Sequence, residues 1–543
     1  MTRLFALLAT LALVAPPARA QTPDPLPTSG PITLTLDDAI AIALDRAYAI
    51  RLAALDVQTS QSQVREAYGT LFPRVDASSG YTRNVVQANP FAGSSAGSIF
   101  GGLGAIGWLQ YNELARTDDD PTTVPLTLQQ YNQNVSDGQT AVGYNPANGS
   151  NPFGTDNTFT NTLSISQPIY SGVALAAVKG ARSLVEINEV ALEQRTDEVI
   201  DQTRQAFYRA LLAQEQATVQ QASFERSRET YSDASLLVAQ GVRPVLERLN
   251  AEVDLANAET GVVTAQAGAA SARDQLLLTL GLPVGAPVVL DGRLAPPDDE
   301  LFQTVGLAAA AERALDLRPD VRQAALAVRL NEVQREITRA ELYPSLSAVV
   351  NASYNANIPD DRSFITTPDP TDPFTFETGS TGFFSDAYWQ PALSIGLRAN
   401  WTLFDGFQRR RRIQQNQIAV DQAAIQLEQV RNAAALEVAA AVRQLESARQ
   451  RLGTQARTVR TAETAFAFAS ARLSEGVASQ VDVRVASQNL DLARFNYLQA
   501  VYDALVARSA YEKATGIIEP DALDLAPPAE VPALVTPATL GTD

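Results

Sequence analysis

Residues 393–407 read LSIGLRANWTLFDGF, and the chain then continues to Glu475 without a proline. Leu393, Ile395, Leu397, Ala399, Trp401 and Leu403 alternate with Ser394, Gly396, Arg398, Asn400 and Thr402. A period of two puts the apolar set on one face of a β-strand. At Gly406 the pattern changes. Only Gly453 interrupts the next stretch, where Val420, Leu427, Ala434, Ala441 and Ala448 recur at heptad spacing, as do Val438, Leu445 and Leu452. Heptads predict a helix packed as a coiled coil. At about 1.5 Å per residue that helix is on the order of 100 Å long, far beyond the mean globular helix of about 11–12 residues. A strand of membrane-spanning length that turns directly into a very long helix decides the fold.

Working outward, the same plan appears earlier in the chain. Ile169-Tyr170-Ser171-Gly172 matches Leu403-Phe404-Asp405-Gly406. Gly241-Val242, Ala251, Leu255 and Ala258 match Gly476-Val477, Ala486, Leu490 and Ala493. Upstream, at another constant offset, Ala43-Leu44-Asp45, Arg51, Ala53-Ala54-Leu55, Val57 and Leu71-Phe72-Pro73 match Ala314-Leu315-Asp316, Arg322, Ala324-Ala325-Leu326, Val328 and Leu342-Tyr343-Pro344. This is an internal duplication, and the change of offset marks an insertion of different length in each copy.

The expected organisation follows: signal peptide 1–20, linker 21–33, repeat one 34–285, linker 286–303, repeat two 304–516 and a disordered acidic tail 517–543. Each repeat begins with one helix, about 36–72 or 304–342, which Pro73 or Pro344 ends. Strands follow at about 74–84 and 158–170, then at about 345–356 and 391–404. Their length, about ten residues, is what a transmembrane β-strand needs; ordinary half-buried strands of a soluble sheet would alternate in the same way. The polar insertions 85–157 and 357–390 suit surface loops. Long helices are expected at about 172–240, 246–280, 406–475 and 480–514.

Composition narrows the function. The 543 residues carry 42 Lys+Arg against 60 Asp+Glu, with no Cys and no His. Thiolate and imidazole ligands for zinc, copper or haem are missing, and no metal or cofactor is expected. Cys and Ser–His–Asp catalysis are excluded, and no acid cluster forms a pocket pattern, so no enzyme is expected. The acidic balance argues against nucleic acid. At the N-terminus, Arg3, the apolar run Leu4 to Val14 and Ala18-Arg19-Ala20 fit an export signal; the run is too short for a transmembrane anchor. No later run reaches the length of a spanning helix, so a membrane-crossing chain must do so as a closed barrel.

One chain offers four strands, too few to close a barrel around a pore. Copies must complete it: a dimer gives eight strands, with little interior room, and a trimer gives twelve, the better fit if solute passes. The expected fold is therefore a membrane α/β protein with a duplicated helix-strand-strand-helix repeat. A trimeric 12-stranded β-barrel, four strands per chain, is continued by a long α-helical coiled-coil barrel. The competing reading is a periplasmic coiled-coil scaffold or adhesin without a pore.

The duplicated plan resembles the TolC family of outer-membrane efflux and secretion channels over about residues 34–518. Leu71-Phe72-Pro73, Leu342-Tyr343-Pro344 and Leu403-Phe404-Asp405-Gly406 carry the resemblance at the strand–helix transitions marked by Pro73, Gly172, Pro344 and Gly406. Gly476-Val477 with Asp482, Ala493-Arg494-Phe495-Asn496-Tyr497-Leu498, and the join Leu280-Gly281-Leu282-Pro283 complete it. The resemblance implies a homotrimer in the outer-membrane lipid of a Gram-negative cell, with a periplasmic helical domain. It implies a passive exit duct of a tripartite efflux or type I secretion system. A periplasmic adaptor (membrane fusion) protein and an inner-membrane pump of RND, ABC or MFS type would be its partners. The adaptor-docking tip would be Gly241, Val242, Gly476 and Val477. The pore or gate residues would be Asp482, Glu247 at the matching offset, and Arg243; Arg248 and Arg484 are further candidate partners for the acids. The family's second aspartate falls on Val485, and its Tyr and Arg latch on Leu473 and Ala478.

Overall fold

The structure is a computed structural model, and it describes residues 32–86, 96–118, 123–144, 155–297, 306–369 and 372–518. The signal peptide and nearly all of the acidic tail lie outside these residues. In chain order the elements are β1 (Ile32–Leu34), α1 (Leu36–Arg46), α2 (Tyr48–Gly69), β2 (Arg74–Arg83), α3 (Ala96–Thr117), α4 (Leu128–Ala141) and β3 (Asn157–Tyr170). Then come α5 (Gly172–Ala239), α6 (Val245–Thr279), β4 (Val288–Leu290), α7 (Leu307–Leu317), α8 (Pro319–Ala340), β5 (Ser345–Ile358), β6 (Ser363–Thr366) and β7 (Glu377–Ser380). β8 (Trp389–Asn400), α9 (Gln408–Ser474) and α10 (Gln480–Thr515) complete the chain. The chain divides into two compact units, one of residues 1–65, 176–336 and 410–543, the other of 66–175 and 337–409.

The first unit is helical. Its core joins Leu34, Leu276, Leu277 and Leu280 to Val438, Leu445, Ala448, Val501 and Ala504, all essentially inaccessible. The α9 heptads explain this: Val420, Ala434, Ala441 and Ala448 are buried, as are Val438, Leu445 and Leu452, and Leu427 is half-buried. Alanine on the seam lets helix axes approach closely. Two linkers are not plain coil, because β1 and β4 pair in parallel, Ile32 with Val288 and Leu34 with Leu290.

The opening helix of each repeat is broken, against expectation. Ala47 separates α1 from α2, and Arg318 separates α7 from α8. Both residues leave the helical region (ψ 127° and 126°) while still donating to Ala43 and Ala314. In repeat two the cause is in the sequence, because the residue before Pro319 is disfavoured in the helical region. Repeat one makes the same break before Tyr48 without a proline.

The second unit holds a four-stranded antiparallel sheet in the order β2-β3-β5-β8. The last strand ends at Asn400, short of the expected 404. Ser345 pairs with Asn400, and the next position on β5 would be Pro344, which has no N–H to give. The insertion 85–157 is not simply a loop. It contains α3 and α4, whose Tyr111 and Tyr131 enclose Phe374 of the second insertion at ring distances of 5.1 and 5.4 Å. The Thr127–Gln130 capping box starts α4, and the second insertion adds the β6–β7 hairpin.

Candidate functional site

The sheet register turns the sequence alternation into rows. Val75, Ile165, Val350 and Ile395 stand side by side across the four strands, as do Ala77, Leu163, Ala352 and Leu393. Period two puts both rows on one face. Toward one end, Tyr81, Phe159, Ala356 and Trp389 form a third row on that face. Tyr81 meets Phe159 at 4.8 Å, and Trp389 meets Phe159 at 5.6 Å and Tyr354 at 5.1 Å. Leu393, Ile395 and Leu397 are 69%, 76% and 72% exposed. β2 and β8 are the outer strands, and among the described residues each has one edge without a main-chain partner. An apolar face with an aromatic row at its rim suits lipid, and two open edges need further strands.

At the other end of the sheet the strands pass into helices. Pro73 precedes β2, and Pro344 precedes β5. Gly172 opens α5 so close to α8 that a Cβ would lie 3.3 Å from Ala340 Cβ. Gly406 and Phe407 carry φ of 67° and 65°, left-handed backbone that only the glycine adopts without strain. Sequence reasoning missed the residue that holds this turn. Arg409 is 8% exposed, and its guanidinium donates to Asp405 Oδ2 at 2.7 Å, the Glu341 carbonyl at 2.7 Å and the Thr402 carbonyl at 2.5 Å. The one sequence signal was Asp405 four residues before an arginine.

The expected docking residues and Arg243 lie at the turns 240–244 and 475–479, and Glu247 and Asp482 lie in the first turns of the helices that follow. Both turns are built alike. Gly241 N–H donates to Val238 O and Val242 N–H to Leu237 O; Gly476 donates to Leu473 O and Val477 to Arg472 O. These are Schellman caps, which require the left-handed φ of 70° and 76° found at the two glycines. The valine after each glycine is exposed, Val242 64% and Val477 63%.

Asp482 and Glu247 occupy the same place, the third residue of their helices, with different partners. Asp482 Oδ2 accepts from Ser479 N and Ser479 Oγ, both at 2.9 Å, while Ser479 Oγ accepts from Asp482 N at 3.2 Å. This capping box holds the carboxyl below its usual range: the Ser479 backbone N–H contributes most, then the Ser479 hydroxyl, with Arg472 adding a weaker attraction. In repeat one the cap position is Pro244, which has no side-chain acceptor, and Glu247 instead faces Arg243 at 3.4 Å. Arg484 faces Asp254 at 3.5 Å rather than either acid.

Further from the turns, sequence reasoning missed a buried polar cluster between α5 and α10. Asp201 accepts from Ser509 Oγ at 2.8 Å and from Lys513 Nζ at 3.2 Å. Arg204 pairs with Glu512 at 2.6 Å. Beside them, Asp197 is pushed up to about 6, by burial first and then by Glu193 and Glu198, against the opposing attraction of Lys513.

Comparison with known proteins settles the class. The sequence model described as outer membrane efflux protein matches residues 125–282 and 310–517, more than half of the chain. The chain belongs to the outer membrane efflux protein family. Its place is the outer membrane, its helical part lies in the periplasm, and its function is that of an efflux channel. Three solved outer-membrane proteins share the fold. The CmeC channel of Campylobacter jejuni has a TM-score of 0.61 at 15% identity, over 89% of this chain and 85% of that one. VceC of Vibrio cholerae has 0.62 at 16%, over 89% and 96%. The open-state MtrE channel of Neisseria gonorrhoeae has 0.58 at 16%, over 89% of each chain. No curated protein matches the sequence. The scaffold or adhesin reading is not favoured.

Proposed function

We propose that three copies of this efflux protein join edge to edge, β8 of one to β2 of the next, and close a twelve-stranded barrel. The open four-stranded sheet with its lipid-suited face carries this reading. The four long helices continue as a periplasmic duct. The protein conducts passively and performs no chemistry; an inner-membrane pump of RND, ABC or MFS type supplies the energy. The efflux family name favours small exported compounds over a type I secretion substrate.

The turns at Gly241-Val242 and Gly476-Val477 dock a periplasmic adaptor. Their exposed valines, with Val245, Leu246 and Val481 nearby, support an apolar contact there. Asp482 and Glu247 narrow and charge the entrance, each repeated three times around the axis, and Arg243 neutralises Glu247 in part. Like charges around a narrow opening favour cations.

The test is reconstitution. Full-length protein cross-linked in outer membranes should run as a trimer, resist carbonate washing and conduct ions in a planar bilayer. A water-soluble single copy that never conducts overturns the proposal.

A further inference from the structure

We propose that the first turn of α9 is a binding surface for the phosphate headgroups of anionic phospholipid in the periplasmic leaflet of the outer membrane. Gln408 is followed by Arg409, Arg410, Arg411 and Arg412. Four arginines at the start of a helix oppose its dipole, which carries positive charge at that end and favours acids there. The first turn of α9 contains no acid. From 394 to 420 the one acid in the sequence is Asp405, and Arg409 already uses it. Arg410 and Arg411 are exposed, and Arg411 donates only to the neutral Gln414 Oε1, at 3.0 Å. In a chain with 60 acids, Arg410 and Arg411 are left with no acid of their own in this stretch.

The duplication supplies an internal control. The matching helix start, Gly172-Val173-Ala174-Leu175-Ala176-Ala177-Val178, has no charged residue. A strand-to-helix turn is therefore built in the same chain without arginine. Arg409 accounts for one of the four by pinning the turn. Arg410 and Arg411 answer to something outside the turn.

The neighbouring side chains identify it. Trp401, Leu403, Phe404 and Phe407 are all exposed just before the arginines, and Phe404 meets Phe407 edge to face at 5.4 Å. Aromatic side chains concentrate where hydrocarbon meets headgroup. Arginine just beyond such a belt reaches lipid phosphates, which its guanidinium engages in pairs of hydrogen bonds. A neighbouring copy of the chain is the less fitting occupant, because the aromatic belt leads into lipid rather than into a polar seam.

This rests on the barrel reading, and the experiment separates the two. With Trp108→Phe and Trp389→Phe, Trp401 becomes the reporter. The full-length trimer is reconstituted in phosphatidylcholine vesicles doped with brominated phosphatidylglycerol or brominated phosphatidylcholine. The glycerol lipid should quench Trp401 several-fold more strongly. Arg410→Gln with Arg411→Gln should abolish that preference, Arg410→Lys with Arg411→Lys should keep much of it, and salt should weaken it. Equal quenching by both lipids, or a preference that survives the glutamine pair in intact trimers, overturns the proposal. So does loss of the preference on adding inorganic phosphate, which would mark a free-anion site. Quenching by neither lipid overturns both this proposal and the barrel.

Discussion

Arg409 Nε donates to Asp405 Oδ2 at 2.7 Å across the strand-to-helix turn, and the same carboxylate oxygen accepts from the Arg409 backbone N–H at 3.0 Å. This pair holds the left-handed Gly406–Phe407 step in place. Repeat one has Leu175 at the matching position and no such pin. Arg409→Leu, which copies repeat one, should cost about 2–4 kcal/mol, because it strips Asp405 and two carbonyls of a buried charged donor. Heat-induced trimer dissociation should show the loss. An unchanged transition temperature would mean that the strained turn stands without the pin.

Asp197 makes stability depend on pH. Its carboxyl titrates near 6 in the fold, above the ordinary 3.8. The native state therefore binds the proton more tightly than the unfolded chain does. The contribution of Asp197 to stability is most favourable below about pH 4 and falls as pH rises to 6, above which its penalty is constant. Asp197 is only partly shielded, so solvent screening reduces the penalty to roughly 1 kcal/mol. Asp197→Asn should raise the unfolding temperature at pH 7.5 and bring little gain at pH 4. The reverse order would contradict the assignment.

Asp482 has two separable roles. Asp482→Ala removes the charge and the reciprocal half of the capping box while leaving the Ser479 cap on its own backbone N–H, and should lower stability. Asp482→Asn keeps an oxygen able to accept from Ser479 and removes only the charge. If the entrance reading holds, the asparagine variant loses cation preference and divalent block in a planar bilayer, and it is less destabilised than the alanine variant although it gives up the charge that the folded helix start favours. Selectivity untouched in both variants would take Asp482 out of the entrance.

Gly241→Val and Gly476→Val place a β-branched side chain in left-handed backbone, at a cost of about 1–2 kcal/mol each. Trimers should still reach the outer membrane, since the sheet is untouched, but export should fall. A drug-susceptibility assay paired with membrane fractionation reads both. Full export would remove these turns from the docking surface.

Ser509→Ala leaves Asp201 Oδ1 without its hydroxyl donor in the α5–α10 contact. A loss of about 1–2 kcal/mol is expected, measurable by chemical unfolding. Ser509→Thr should keep most of the stability.

The sequence by itself determined the duplication, the four strands, the long helices and the glycines that end them. Those features are local. Period two, heptad spacing, proline's missing N–H and the left-handed backbone are properties of a few neighbouring residues, so they are written in order along the chain. Even the Asp482 cap was there to read as Ser479-x-x-Asp482, and the break at Arg318 as a residue before proline. Only the tertiary structure decided the rest. The apolar rows arise when four distant strands set their register. Arg409 is a pin because the carbonyls of Glu341 and Thr402 come to it. Asp197 is pushed up because folding buries it, an effect that outweighs the opposing attraction of Lys513 on α10. The break at Ala47 likewise lacks a local cause strong enough to announce it. Contacts between residues far apart in sequence depend on chain geometry that no local pattern encodes.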